Sequence, residues 1–172
     1  MDNQLDVPLG ILKLPVPLKE DYNRRQKLIE LIEKPLWTIT GKCAKDTLIP
    51  DLVSICKVND QHQFIIFDAK YYNAHLEKGI VPTGQPGIES ITKQYLYQLA
   101  YQRFIEDHKF SSVKNCFLLP TENNEIEDKG EVRMEMLSNL GLQDIKIRLI
   151  PATMAYDLYL SGSKMDMERL DL

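Results

Sequence analysis

Phe64-Ile65-Ile66-Phe67-Asp68-Ala69-Lys70 is the stretch on which the fold turns: an apolar run that ends abruptly in an acid, a small residue and a base. The run has the composition of a buried strand. Buried strands seldom carry Asp or Lys, because an unpaired charge taken out of water is very costly, so two charges at the end of such a run mark a site. A second acid stands upstream in Leu48-Ile49-Pro50-Asp51-Leu52-Val53-Ser54-Ile55, again within a strand-like apolar run. Pro50-Asp51 followed by Asp68-Ala69-Lys70 therefore puts two acids and a lysine on neighbouring strands. That is the minimum set for holding a divalent metal ion and activating a water beside it.

The two strands, expected over 47–57 and 63–70, are joined by Val58-Asn59-Asp60-Gln61-His62, a polar link short enough for a hairpin. Antiparallel pairing sets residues equidistant from the turn opposite each other. Counted outward from about Asp60, Asp51 falls near residues 67–68, so both acids reach one spot.

Around this hairpin the chain reads as follows. Residues 1–19, with Pro8, Pro15 and Pro17, form an extended arm. Good helix formers over 20–34, with Leu28, Ile29, Leu31 and Ile32 in a charged background and Pro35 as a stop, predict a first helix. Residues 37–40 are a short strand candidate. Gly79, Pro82, Gly84, Pro86 and Gly87 punctuate a loop at the end of the Asp68 strand, placed to cover a site or contact a substrate. The longest helix is expected over 88–109. Ser90, Gln94, Tyr97 and Tyr101 form one polar and aromatic stripe on it, with Gln98 at its edge, while Ile88, Ile91, Tyr95, Leu96 and Leu99 form its apolar face. A strand over 112–119 stops at Pro120 and can pair in parallel with the Asp68 strand across that helix. Residues 121–130 read as an acidic surface loop, 131–137 as an edge strand or short helix, 144–150 as a strand, and 152–160 as a terminal helix. The polar tail 161–172 is expected to fray. The order helix, strand, strand, strand, helix, strand predicts an α/β sandwich with a mixed central sheet in one domain, 20–160.

Composition narrows the function. With 172 residues, 44% of them hydrophobic and 27% charged, the chain buries a core without disulfides. No apolar run is long enough to cross a bilayer and Met1-Asp2-Asn3-Gln4 lacks a signal-peptide profile, so the expected location is the cytoplasm, away from membranes. Cys43, Cys56 and Cys116 are widely spaced with no Cys-x-x-Cys pair, which suits reduced thiols. His62, His75 and His108 lie in polar company and are expected at the surface. A net charge of −4 argues against nucleic-acid binding over the whole surface but leaves room for a local basic groove.

These residues resemble the PD-(D/E)XK nuclease superfamily: Pro50-Asp51 and Asp68-Ala69-Lys70 stand in that order between a first and a long second helix. Asp68-Ala69-Lys70-Tyr71-Tyr72 followed by Lys93-Gln94-Tyr95-Leu96-Tyr97-Gln98-Leu99-Ala100-Tyr101 is most similar to LlaJI-type restriction endonucleases. The nuclease subunit of McrBC-type systems is a more distant likeness. The likeness covers roughly residues 20–160.

The resemblance implies a restriction-endonuclease-like sandwich and Mg²⁺-dependent hydrolysis of DNA phosphodiesters, with Mn²⁺ as an alternative ion. Asp51, Asp68 and the backbone carbonyl of Ala69 would hold the metal, joined by Glu30 or Glu33 of the first helix. Lys70 would orient the attacking water or steady the transition state. Gln94, with Tyr97 or Gln98, would hold the substrate backbone or the lysine, and Lys93 and Arg103 would supply phosphate contacts. Taken singly, Tyr95, Tyr97 and Tyr101 read as ordinary helix-to-sheet packing. Cutting both strands implies a homodimer or two copies meeting on DNA, with recognition on a separate domain or with an NTPase subunit. Other readings are a repair, transposition or RNA-processing nuclease, and a nuclease-like binding module for an NTPase.

Overall fold

The computed structural model describes residues 1–172. Its centre is a five-stranded mixed sheet built from β3 (Leu52–Val58), β4 (Gln61–Ala69), β5 (Ser112–Thr121), β6 (Glu127–Val132) and β7 (Ile145–Pro151), in the order β3-β4-β5-β7-β6. A separate two-stranded ribbon, β1 (Leu36–Trp37) and β2 (Lys42–Cys43), precedes it. Two α-helices complete the fold, α1 (Ile88–Asp107) and α2 (Ala152–Ser161). The protein is α/β. No helix is long and apolar enough to cross a membrane.

β3 and β4 form the expected hairpin, turning on Asn59 and Asp60, both with positive φ (48° and 64°). A two-residue turn with both residues left-handed matches strand twist, which fixes the register. Leu52 pairs with Phe67 and Val58 with Gln61. β4 then pairs in parallel with β5 through α1, as expected, and β5 in parallel with β7. Alternation divides the apolar side chains between the faces. Phe64 and Ile66 join Val53, Ile55, Tyr97, Tyr101 and Phe104 beneath α1, while Ile65 and Phe67 pack with Cys116, Met165 and Leu170 on the other face.

Several expectations are corrected. No first helix forms over 20–34: only Leu28–Leu31 makes a 3-10 turn. The backbone there bonds across to the N-terminal arm instead, with Leu9 N–H donating to Gln26 O, Gly10 N–H to Arg24 O and Leu28 N–H to Val7 O. Long-range pairing outweighs a helix propensity worth roughly a few tenths of a kcal/mol per residue. The arm is part of the core, since Leu5 and Leu9 are buried and Gln4 bonds both Val53 and Ile55. β5 runs through Pro120 to Thr121. β4 has ended opposite Leu118, so Pro120 is bordered by β7 alone, an edge position where the missing proline N–H is tolerated.

The edge strand lies at Glu127–Val132, starting within the stretch expected to be a loop and ending within the expected edge strand, and 135–140 is a 3-10 turn. Charge sets this edge rather than apolar alternation: Glu131 pairs with Lys146 at 3.1 Å and Asp128 with Arg148 at 2.5 Å. The tail does not fray. Met165 and Leu170 are buried, and the buried Arg148 donates to the carbonyls of Leu170 and Asp171. His108 is likewise buried rather than at the surface, its Nδ1 2.8 Å from Phe104 O.

Candidate active site

The hairpin register carries Asp51, the residue before β3, to the level of Asp68, near the end of β4. The Asp51 Oδ2 accepts the backbone N–H of Ala69 at 2.8 Å, which locks the two strand ends together. Asp68 is buried, with 2% of its surface exposed, and Lys70 Nζ lies 2.7 Å from its Oδ2. That oxygen has no partner of hydrogen-bond geometry, so the ion pair is its only compensation. Burial raises the Asp68 carboxyl from 3.8 to about 6; the Lys70 ammonium opposes the rise and the Asp51 carboxylate adds to it. An ionised carboxylate here is under-compensated by its surroundings, the condition in which a cation is favoured.

α1 clamps both acid-bearing segments at the same distance from their acids. Gln94 Nε2 donates to Ile66 O at 2.8 Å, two residues before Asp68. The Tyr97 hydroxyl donates to Ile49 O at 3.0 Å, two residues before Asp51. Burial first, and then the nearby Asp68 and Asp51 charges, push the Tyr97 phenol up to about 12, so it stays a neutral donor. The polar and aromatic stripe faces the sheet: Gln94, Tyr97, Gln98 and Tyr101 are buried, as is Tyr95 of the expected apolar face, whereas Ile88 and Leu96 of that face are exposed. The physical reason is Asn115, fully buried in the middle of β5. Its Nδ2 donates to Gln98 Oε1 at 2.6 Å, and Gln98 Oε1 also accepts the Gln143 N–H at 3.0 Å. Buried polar groups require partners, so the glutamine stripe faces inward. Asn115 was missed from the sequence, although a lone amide inside an apolar strand run was the available signal.

The remaining candidates are not at this spot. Gln94 reaches the strand and not Lys70. Arg103 is tied to Asp21 at 2.6 Å and Asp107 at 3.5 Å, and nine residues of helix past Gln94 correspond to about 13 Å. Lys93 is exposed and free of ion pairs on the outer side of α1. Glu30 and Glu33, without the expected helix, line a separate cleft of about 940 Å³ with Asp21, Asp46 and Arg103, and Glu30 accepts the Lys27 N–H at 2.8 Å. No group of three Asp, Glu, His or Cys side chains is close enough to hold a metal ion. The carboxylates brought together here are those of Asp51 and Asp68.

Fold and site together define an α/β domain that presents paired carboxylates and a lysine at the end of a hairpin roofed by a helix. Within that class, the chain belongs to the LlaJI restriction endonuclease family, whose model matches residues 19–158. It is 29% identical over 158 residues to the Type II restriction enzyme BsuMI component YdjA of Bacillus subtilis (strain 168), a match covering 88% of this chain and 32% of that relative. The chain thus spans about a third of the length of the curated relative it matches. No solved structure matches it.

Proposed function

We propose that this chain is the catalytic domain of a restriction enzyme, with the PD-(D/E)XK type of fold and a metal-dependent endonuclease activity on DNA. The observation that carries the reading is the register that faces Asp51 with Asp68 beside Lys70, in a chain of a restriction endonuclease family. Hard oxygen donors and the unpartnered Asp68 Oδ2 suit a hard cation, so Asp51, Asp68 and the Ala69 carbonyl would hold Mg²⁺, or Mn²⁺ in its place. Bound there, such an ion supplies Lewis-acid charge and a more acidic water. Lys70 orients the attacking water and offsets negative charge gathering on the phosphate. Gln94 and Tyr97 act as positioning residues through Ile66 and Ile49.

The relative is described as a component of a Type II restriction enzyme. This supports action within an assembly on DNA, with two copies of the site, as a homodimer or as a pair formed on the duplex, needed to cut both strands. Recognition of sequence would then reside on a separate domain or companion subunit.

Plasmid DNA incubated with the purified protein and its companion component should be cut with Mg²⁺ and not with EDTA. Asp68→Ala and Lys70→Ala should abolish cutting while leaving far-UV circular dichroism unchanged. Full activity in either variant, or in EDTA, sinks the reading. Cutting of RNA but not DNA in a substrate panel would redirect it to RNA processing.

A further inference from the structure

The ribbon of β1 and β2 is the part of the fold that packing does not explain. Every residue from 33 to 43 is exposed, including Leu36 at 60%, Trp37 at 64% and Ile39 at 95%. Its shape is nevertheless set internally. Leu36 pairs with Cys43 and Trp37 with Lys42, and the Ala44 N–H donates to Pro35 O at 2.7 Å. Gly41 turns the chain at φ 64° and its N–H donates to Trp37 O at 2.9 Å. A preformed ribbon that buries no apolar residue against the domain contributes little to folding, so its aromatic and aliphatic tip is free for a partner.

The charge of the ribbon states what that partner is. In a chain of net charge −4, residues 34–45 carry Lys34, Lys42 and Lys45 and no acid. None of the three lysines is in an ion pair. The register, continued by the Ala44–Pro35 bond, sets Lys34 and Lys45 at the same level on opposite strands, and like charges placed so repel. A polyanion relieves that repulsion. The stem is fixed by the Thr47 hydroxyl donating to Glu33 O at 2.5 Å. Thr47 is four residues before Asp51, so the stem lies within about 14 Å of that acid even for a fully extended chain. A two-stranded ribbon fits the major groove of duplex DNA, which is about 12 Å wide. A protein partner fits less well, because this short ribbon cannot supply the roughly 800 Å² per side of a standard interface and lysine is depleted there.

We infer that residues 34–45 form a DNA-docking ribbon, with Lys34, Lys42 and Lys45 on phosphates and Trp37 against the groove, holding the duplex over the Asp51 and Asp68 site. The inference rests on the nuclease reading for its substrate but is tested without cleavage. Trp37 is the single tryptophan of this chain, so its fluorescence reports the ribbon directly. In EDTA, adding duplex DNA should quench and blue-shift that emission, with the same saturation curve as the anisotropy of a labelled duplex. The triple variant Lys34→Gln, Lys42→Gln, Lys45→Gln should bind at least about tenfold more weakly and lose up to about 2.7 from the log–log salt slope. A control replacing the exposed Lys13 and Lys109 should change neither. Because the substituted side chains are exposed, unchanged melting confirms folding. No binding by the wild-type chain, unchanged Trp37 emission at saturating DNA, or wild-type affinity and slope in the triple variant would overturn the inference. So would shielding of Trp37 by a companion protein with DNA affinity intact. DNA bound through the ribbon but never cut with Mg²⁺ would refute the nuclease reading and leave the ribbon standing.

Discussion

Replacing Asp68 with Asn should stabilise the metal-free protein, and the gain should appear only as pH rises. The folded-state carboxyl is raised from 3.8 to about 6, chiefly by burial. Between those values the folded protein holds a proton that the unfolded chain has released, so wild-type stability falls as pH rises from about 4 through about 6. The full difference corresponds to roughly 3 kcal/mol, reached above pH 7. Asparagine keeps the shape and removes the charge, and Lys70, with 24% of its side chain exposed, regains water once unpaired. Urea unfolding of both proteins in EDTA at pH 4, 6 and 8 measures this directly. The expected advantage of Asp68→Asn is near zero at pH 4 and largest at pH 8. A pH-independent difference, or a wild-type protein more stable at pH 8, would show that Lys70 compensates the buried carboxylate fully and would refute the reasoning.

Other outcomes follow from the same geometry. Mg²⁺ or Mn²⁺ should raise the melting temperature of the wild type in a concentration-dependent way, and should leave Asp68→Asn unmoved, as differential scanning fluorimetry would read. Gln98→Leu removes the acceptor shared by the buried Asn115 Nδ2 and the Gln143 N–H, leaving that Nδ2 only its weaker bond to Gln143 O, and should destabilise by about 2 kcal/mol in chemical unfolding. Arg148→Ala removes the donors that hold the Leu170 and Asp171 carbonyls, and should cost about 3 kcal/mol and expose residues 165–172 to limited proteolysis. Arg103→Gln, being tied to Asp21 and Asp107 away from the acids, should change the cleavage rate by less than about twofold.

The candidate site was more legible than the layers around it. Asp51, Asp68 and Lys70 are separated by one short hairpin, so a count from the turn suffices to bring them together. Gln94 and Tyr97 were visible as a stripe, but their targets, Ile66 O and Ile49 O, belong to other elements and were not. Glu30 and Glu33 were candidates only while a helix carried them. Once the arm claimed that backbone, they were left in another cleft.

The sequence by itself determined the apolar strand runs, the hairpin between them and the meeting of two acids and a lysine at its end, because strand alternation and turn chemistry act over a few residues. Only the tertiary structure decided which carboxylate is buried, which carbonyls Gln94 and Tyr97 hold, that an acidic stretch becomes the sheet edge and that the tail is held by Arg148. Each of those depends on partners far along the chain, whose hydrogen bonds and charges override local propensity when they exclude water.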